Sequence, residues 1–281
     1  MRVIDVTEGS EARVGAPASL LREASRQLRS LARFRSLVRY LVSSSLKTQN
    51  TGTVFGHVWW VLDPLLLMAV YVLVVDVMLN RGGPDYPVFV FTAVLAWKWF
   101  SSSVQQAIAM TVGKESLMRR VAFPRAVLPI SSVVAGAIHF VFGLGVLILF
   151  AIAFGIYPHP ALALLPFIAL VQLALILGVA LFLSALNIFL RDVGHLTTYF
   201  FRLGFYLSPS LYAASQVPEQ YRAIYDLNPF ATLFPAYRSV IMEHAAPDVA
   251  PLAGLAAVSV VVLILGYAFF TRREPLFTKV Q

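Results

Sequence analysis

The chain has no cysteine among its 281 residues. That absence removes disulfide frameworks, zinc knuckles and thiol nucleophiles together. Charge is also scarce: Asp, Glu, Lys and Arg make up 13% of the residues, where a soluble domain carries about 25%. No G-x-x-x-x-G-K-[ST] phosphate loop occurs, so ATP hydrolysis would have to come from another chain. The acids within apolar runs are Asp63 and Asp76. They lie near opposite ends of one helix, roughly 20 Å apart at 1.5 Å per residue, too far to act as a catalytic pair. The five histidines, His57, His139, His159, His195 and His244, show no i, i+4 metal-ligand spacing. A membrane-embedded glycosyltransferase or ligase needs an acidic or metal centre, and neither is legible. The chain reads as a non-enzyme with no metal and no cofactor of its own.

Apolar residues are abundant instead. They make up 59% of the chain, and the mean hydropathy is +0.77. A globular interior for this length cannot hide so large an apolar fraction, so lipid must take it. The net charge of +8 does not point to nucleic acid, because the basic residues fall between apolar runs rather than on a soluble face. The fold class is an all-α membrane protein. Runs of about 20 apolar residues, the length that crosses the hydrocarbon core, predict six spans at 59–79, 86–112, 129–154, 161–186, 197–214 and 251–271.

Residues 1–50 form a basic, mostly polar region without a signal-peptide pattern, and residues 51–281 form the six-helix domain. Basic residues set the orientation. With the N-terminus in the cytoplasm, 17 of the 22 Lys and Arg residues lie inside; Arg81, Arg222 and Arg238 lie outside, and Lys98 and Arg202 fall within spans. The predicted topology is N-in, C-in.

Three segments outside the spans carry further expectations. Leu21, Ala24, Leu28 and Leu31 oppose a stripe of Arg22, Arg26, Arg29 and Arg33, continued at Arg39. That pattern suits an interfacial helix on anionic lipid, with an ordinary solvated basic helix as the other reading. Residues 113–128 read as a short amphipathic helix ended by Phe123-Pro124. It carries Met118, Arg119, Arg120 and Arg125, and serves either as a partner-docking surface or as a positive-inside anchor. The stretch 227–242 is apolar but too short to span, with a break at Asn228-Pro229. It predicts two short re-entrant helices, with Arg238 paired to Asp226 or Glu243, against the alternative of a plain loop.

Inside the spans, Lys98 and Arg202 are functional candidates by default. Snorkelling, outward for Lys98 and inward for Arg202, is the competing account. Trp59, Trp60, Trp97, Trp99, Phe100, Tyr199, Phe200, Phe201, Tyr206 and Tyr212 are aromatic candidates for a pathway. Their flat faces stack on sugar rings, and tyrosine hydroxyls hydrogen-bond. An interfacial aromatic belt also gathers such residues.

The ordered set 56–64 (GHVWWVLDP), 96–100 (AWKWF), 120–125 (RVAFPR), Leu128-Pro129, 187–193 (NIFLRDV), Ser208-Pro209, Tyr212, Val217-Pro218, Asn228-Pro229-Phe230 and Arg238 resembles the transmembrane subunits of ABC-2 exporters of O-antigen, teichoic acid, galactan and related polysaccharides. Nearly the whole chain from Arg39 onward takes part. Two departures stand out: Lys98 occupies a position that is usually uncharged in the family, and the basic N-terminal extension is long. The resemblance implies a bacterial inner-membrane homodimer that extrudes an undecaprenyl-diphosphate-linked glycan. It also implies two separate nucleotide-binding subunits that hold ATP and Mg. By the same resemblance, Met118 to Arg125 would couple to the ATPase, and Asn228, Pro229, Phe230 and Arg238 would belong to an outer gate. Arg22, Arg26, Arg29, Arg33 and Arg39 would meet either the cargo diphosphate or anionic membrane lipid. An ABC-2 exporter of small drugs or lipids is the alternative.

Overall fold

The computed structural model describes residues 35–48, 56–113 and 123–277. Among these, five helices are long and apolar enough to cross a membrane. Helix α1 covers Arg35–Thr48. Helix α2 runs Trp59–Val72 and continues as a wider turn through Leu73–Met78. Helix α3 is Tyr86–Gly113 and α4 is Val127–Ala153. A tight turn at Pro160–Leu164 leads into α5, Leu165–Phe189. Helix α6 is Asp192–Leu207. Two short helices follow, α7 at Glu219–Tyr225 and α8 at Pro229–Ile241, before α9 at Val249–Arg273.

Helix α3 is the central pillar. In its most apolar window 72% of residues are buried, against 11% in α2. Three of its polar residues are reconciled with that position locally. The hydroxyls of Thr92, Ser102 and Thr111 donate to carbonyls one turn back, at 2.8, 2.6 and 2.7 Å, so none needs water. Gln172 of α5, fully buried, donates to the Ala96 carbonyl at 2.8 Å. Such interhelical bonds add to van der Waals packing in holding helices together where lipid is as apolar as leucine. Helices α5 and α9 meet at Gly178 and Gly266; a Cβ on Gly178 would lie 2.6 Å from the Leu263 amide nitrogen. Only glycine permits that approach.

The five long helices start and stop within a few residues of predicted spans. The fifth predicted span differs. A span over 197–214 was expected, but α6 begins at Asp192 and stops at Leu207. Asp192 in its first turn suits the positive end of the helix dipole, and Pro209 turns Ser208 away from helical geometry. At 1.5 Å per residue α6 is about 24 Å long, shorter than the hydrocarbon core of about 30 Å.

Helix α1 packs on the start of α4, where Leu41 touches Val127 and Leu128. The same end of the bundle, hereafter the basic end, holds Arg125 and the close of α9. There the Arg125 amide donates to Glu274 Oε1 at 2.8 Å, and its Nη1 donates to the Glu274 carbonyl at 2.9 Å. The Arg125 guanidinium also lies 5.8 Å from the Phe277 ring centroid.

Candidate functional site

Successive residues of a helix point in different directions, and the cluster at 96–100 divides accordingly. Trp97 and Phe100, three apart on α3, face α6 and α8. The Trp97 ring centroid is 4.5 Å from Phe230 and 5.8 Å from Phe205; Phe100 is 4.9 Å from Phe201 and 5.0 Å from Phe230. Gly204 lies beneath the Trp97 indole, where a Cβ would come within 2.9 Å of the ring. Trp99 points the other way and stacks on Phe140 of α4, centroids 4.2 Å apart. Trp60 packs on His139 at 3.9 Å.

The aromatic candidates therefore separate into packing and surface. Trp99, Phe100 and Phe230 are buried. Trp97 and Phe201, which meet edge to face, and Trp60, against His139 and Phe142, are half-covered. Tyr199, Phe200 and Tyr206 form an open stripe on α6, at 62%, 68% and 51% exposure, and Trp59 is exposed at the start of α2. Tyr212 is half-buried, its hydroxyl donating to the Leu207 carbonyl at 3.2 Å.

Between α2, α3 and α6 lies a groove of about 400 Å³, bounded by Tyr71, Lys98, Ser101, Arg202 and Tyr206 among others. The Tyr71 and Tyr206 hydroxyls meet across it at 3.3 Å. A second cavity of about 260 Å³ lies between α2, α3 and α4 and includes Trp60, Asp63, Lys98 and His139. Lys98 borders both, and its ammonium pairs with Asp63. This corrects the snorkelling expectation for Lys98. Counted from Tyr86, Lys98 is about 18 Å along α3, so a carboxylate on α2 is nearer than either interface. Sequence reasoning paired Asp63 only with Asp76; a basic residue near mid-span, needing some partner, was the available signal. Arg202 lies in the third turn of α6 rather than the first, and it faces the groove.

The opposite end of the bundle is held by Arg238. The side chain is 4% exposed. Its Nε and Nη2 each donate to the Phe89 carbonyl at 3.2 Å, Nη1 donates to Pro209 O at 2.7 Å, and Nη2 to Ser210 O at 3.0 Å. Its guanidinium carbon stands 3.2 Å from the Phe89 ring centroid. The expected pairing with Asp226 or Glu243 does not form. Both acids are exposed, and the planar fork finds three carbonyls instead, Pro209 and Ser210 just past the end of α6 and Phe89 on α3. Asn228 caps α8, its side-chain oxygen accepting from Phe230 N at 3.0 Å while Nδ2 donates to Ser208 Oγ at 2.9 Å. Pro229 occupies the first helical position, where its missing N–H costs nothing. Nearby, a cleft of about 900 Å³ is bordered by Arg81, Tyr86, Phe89 and Tyr212. Burial pushes the phenols of Tyr212 and Tyr225 up, so both remain neutral hydrogen-bonding groups.

At the basic end, Phe123, Pro124 and Arg125 are half-buried, and Arg39 is exposed on α1. Met118, Arg119 and Arg120, and the stripe Arg22, Arg26, Arg29 and Arg33, lie outside the described residues. No cluster of three or more potential metal ligands occurs among the described residues.

Comparison with known proteins gives the family. The model of the ABC-2 type transporter membrane family matches residues 25–242. The chain belongs to the ABC-2 type transporter family. Together with its apolar helices, this makes it a multi-pass protein of the inner membrane. Among ABC-2 relatives, the O-antigen export system permease protein RfbA of Myxococcus xanthus is 34% identical over 256 residues, covering 90% of this chain and 98% of that protein. Two Klebsiella pneumoniae proteins of the same description are 27% and 26% identical over 245 residues, 87% of this chain and 94% of theirs.

Proposed function

We propose that this ABC-2 chain is the permease subunit of an ATP-driven exporter of a lipid-linked polysaccharide across the bacterial inner membrane. The cargo in this reading is an undecaprenyl-diphosphate-linked O-antigen, galactan or similar glycan. One observation carries it: similarity to O-antigen export permeases covers most of both chains, 90% of this one and 98% of the Myxococcus xanthus relative. The open stripe of Tyr199, Phe200 and Tyr206 supports the same reading, because aromatic faces hold sugar rings without fixing them.

In this proposal the permease works as a homodimer, with N- and C-termini in the cytoplasm and α6 as a short sixth span. Two nucleotide-binding subunits bind ATP and Mg and dock at the basic end through 118–125. The clamp of Arg125 on Glu274 would pass their movement to α4 and α9 together. Helices α7 and α8, with Asn228, Pro229, Phe230 and Arg238, would form the outer gate. The arginine-rich N-terminal stretch would contact the cargo diphosphate or membrane lipid.

Deletion of the gene tests the reading. Surface polysaccharide should vanish while lipid-linked glycan accumulates on the cytoplasmic leaflet, with both reversed by a plasmid copy. Normal surface glycan together with retention of a small amphiphile would transfer the chain to drug or lipid export.

A further inference from the structure

Lys98 stands near the middle of a membrane-spanning helix, a depth at which an ionised side chain is retained for a function. Its pairing with Asp63 would suffice as a structural explanation if the pair were sealed. It is not: the Lys98 side chain is 41% exposed and that of Asp63 50%. Arg202 borders the same groove as Lys98, and among the described residues no carboxylate pairs with it. Ser101, Gln105 and Thr198 add hydroxyl and amide groups along the walls. The groove thus carries two cations and the Gln105 amide, while the hydroxyls of Ser101 and Thr198 donate to backbone carbonyls and one carboxylate, Asp63, reaches Lys98 from the neighbouring cavity. Its complement is an oxyanion with more than one charge and several acceptor oxygens, for which a guanidinium fork and an ammonium are suited partners. The flanking surfaces, Leu66 and Val70 on α2 and Leu203 and Leu207 on α6, are exposed and apolar. The anion that fits is attached to an apolar chain.

We infer that the groove between α2, α3 and α6 is an intramembrane binding site for the phosphate or diphosphate group of an amphiphile. Lys98 and Arg202 grip the group, and Asp63 is the internal carboxylate with which the ligand competes for Lys98. The export reading enters only in naming a diphosphate-linked lipid carrier as one source of that phosphate; phospholipid headgroups are the other.

All four tryptophans border the two cavities that meet at Lys98, so intrinsic fluorescence of the purified full-length permease reports binding. Farnesyl diphosphate should give a saturable change and farnesol none. Lys98→Gln and Arg202→Gln should each weaken binding by about tenfold, the scale of one charge-assisted hydrogen bond. Asp63→Asn should tighten it several-fold by removing the competitor. Opposite signs at Asp63 and Arg202 cannot come from lost packing, so the test stands even if Lys98→Gln misfolds. Displacement by phosphatidylglycerol at equal concentration identifies phospholipid as the ligand; displacement by pyrophosphate and diphosphate lipids alone identifies the carrier. Equal responses to farnesol, or unchanged affinity in both Asp63→Asn and Arg202→Gln, would overturn the inference. The assay uses neither ATP nor the partner ATPase, so its failure leaves the export reading standing, and loss of the export reading leaves the binding result intact.

Discussion

At the scale of single residues, the same residue type serves opposite purposes a few positions apart. Trp97 is a packing residue joining α3, α6 and α8, whereas Tyr199 and Phe200 are open. Alanine at the half-covered Trp97 should therefore cost less than the ~3–5 kcal/mol of a fully buried aromatic truncation, seen as a lowered unfolding midpoint in micelles. Alanine at Tyr199 and Phe200 together should leave that midpoint unchanged and reduce glycan-stimulated ATP hydrolysis more than basal hydrolysis. An equal fall in both hydrolysis rates would return these two residues to packing. Composition exposed the aromatic enrichment, but depth alone could not separate the two groups. The division depends on which neighbouring helix each ring meets, and that information is not local. Arg238 shows the same limit: it is buried among the Pro209 and Ser210 carbonyls, 28 to 29 residues earlier, and the Phe89 carbonyl on α3, 149 residues earlier.

Among the helices, length and hydropathy were legible and endings were not always so. The spans at 59–79, 86–112, 129–154, 161–186 and 251–271 follow from apolar runs that lipid requires, and the helices found there agree within a few residues. For α6 the apolar run continues past Ser208-Pro209, so counting overran a terminator that proline chemistry marks. The Asn228-Pro229 break was readable because both the cap and the proline are local signals. Contact between α5 and α9 was unreadable, since nothing in the spacing of Gly178 and Gly266 pairs them. It makes a direct prediction. A side chain at Gly266 would strike the Gly178 carbonyl, so Gly266→Val should destabilise by about 1–3 kcal/mol, the usual overpacking cost. Gly254→Ala, with open space around the new atom, should be neutral. Denaturation of both variants in detergent checks the contrast, and equal midpoints would mean that the two helices can separate without loss.

On the scale of the whole molecule, helices differ in how much of themselves they hide. Helix α3 is enclosed while α2 and α6 leave broad apolar and aromatic faces uncovered. These two flank the groove that holds Lys98 and Arg202. That distribution fits the proposed exporter, in which the enclosed helices would form a fixed scaffold and the flanking ones would meet cargo and a second copy. The decisive measurement places the permease and its partner ATPase in inverted vesicles, with lipid-linked glycan and a glycan-degrading enzyme outside. The account predicts that ATP makes a fraction of the glycan resistant to digestion, and that a hydrolysis-dead partner abolishes the effect. Glycan that stays fully digestible with ATP present, in vesicles that do take up a small fluorescent amphiphile, would contradict it.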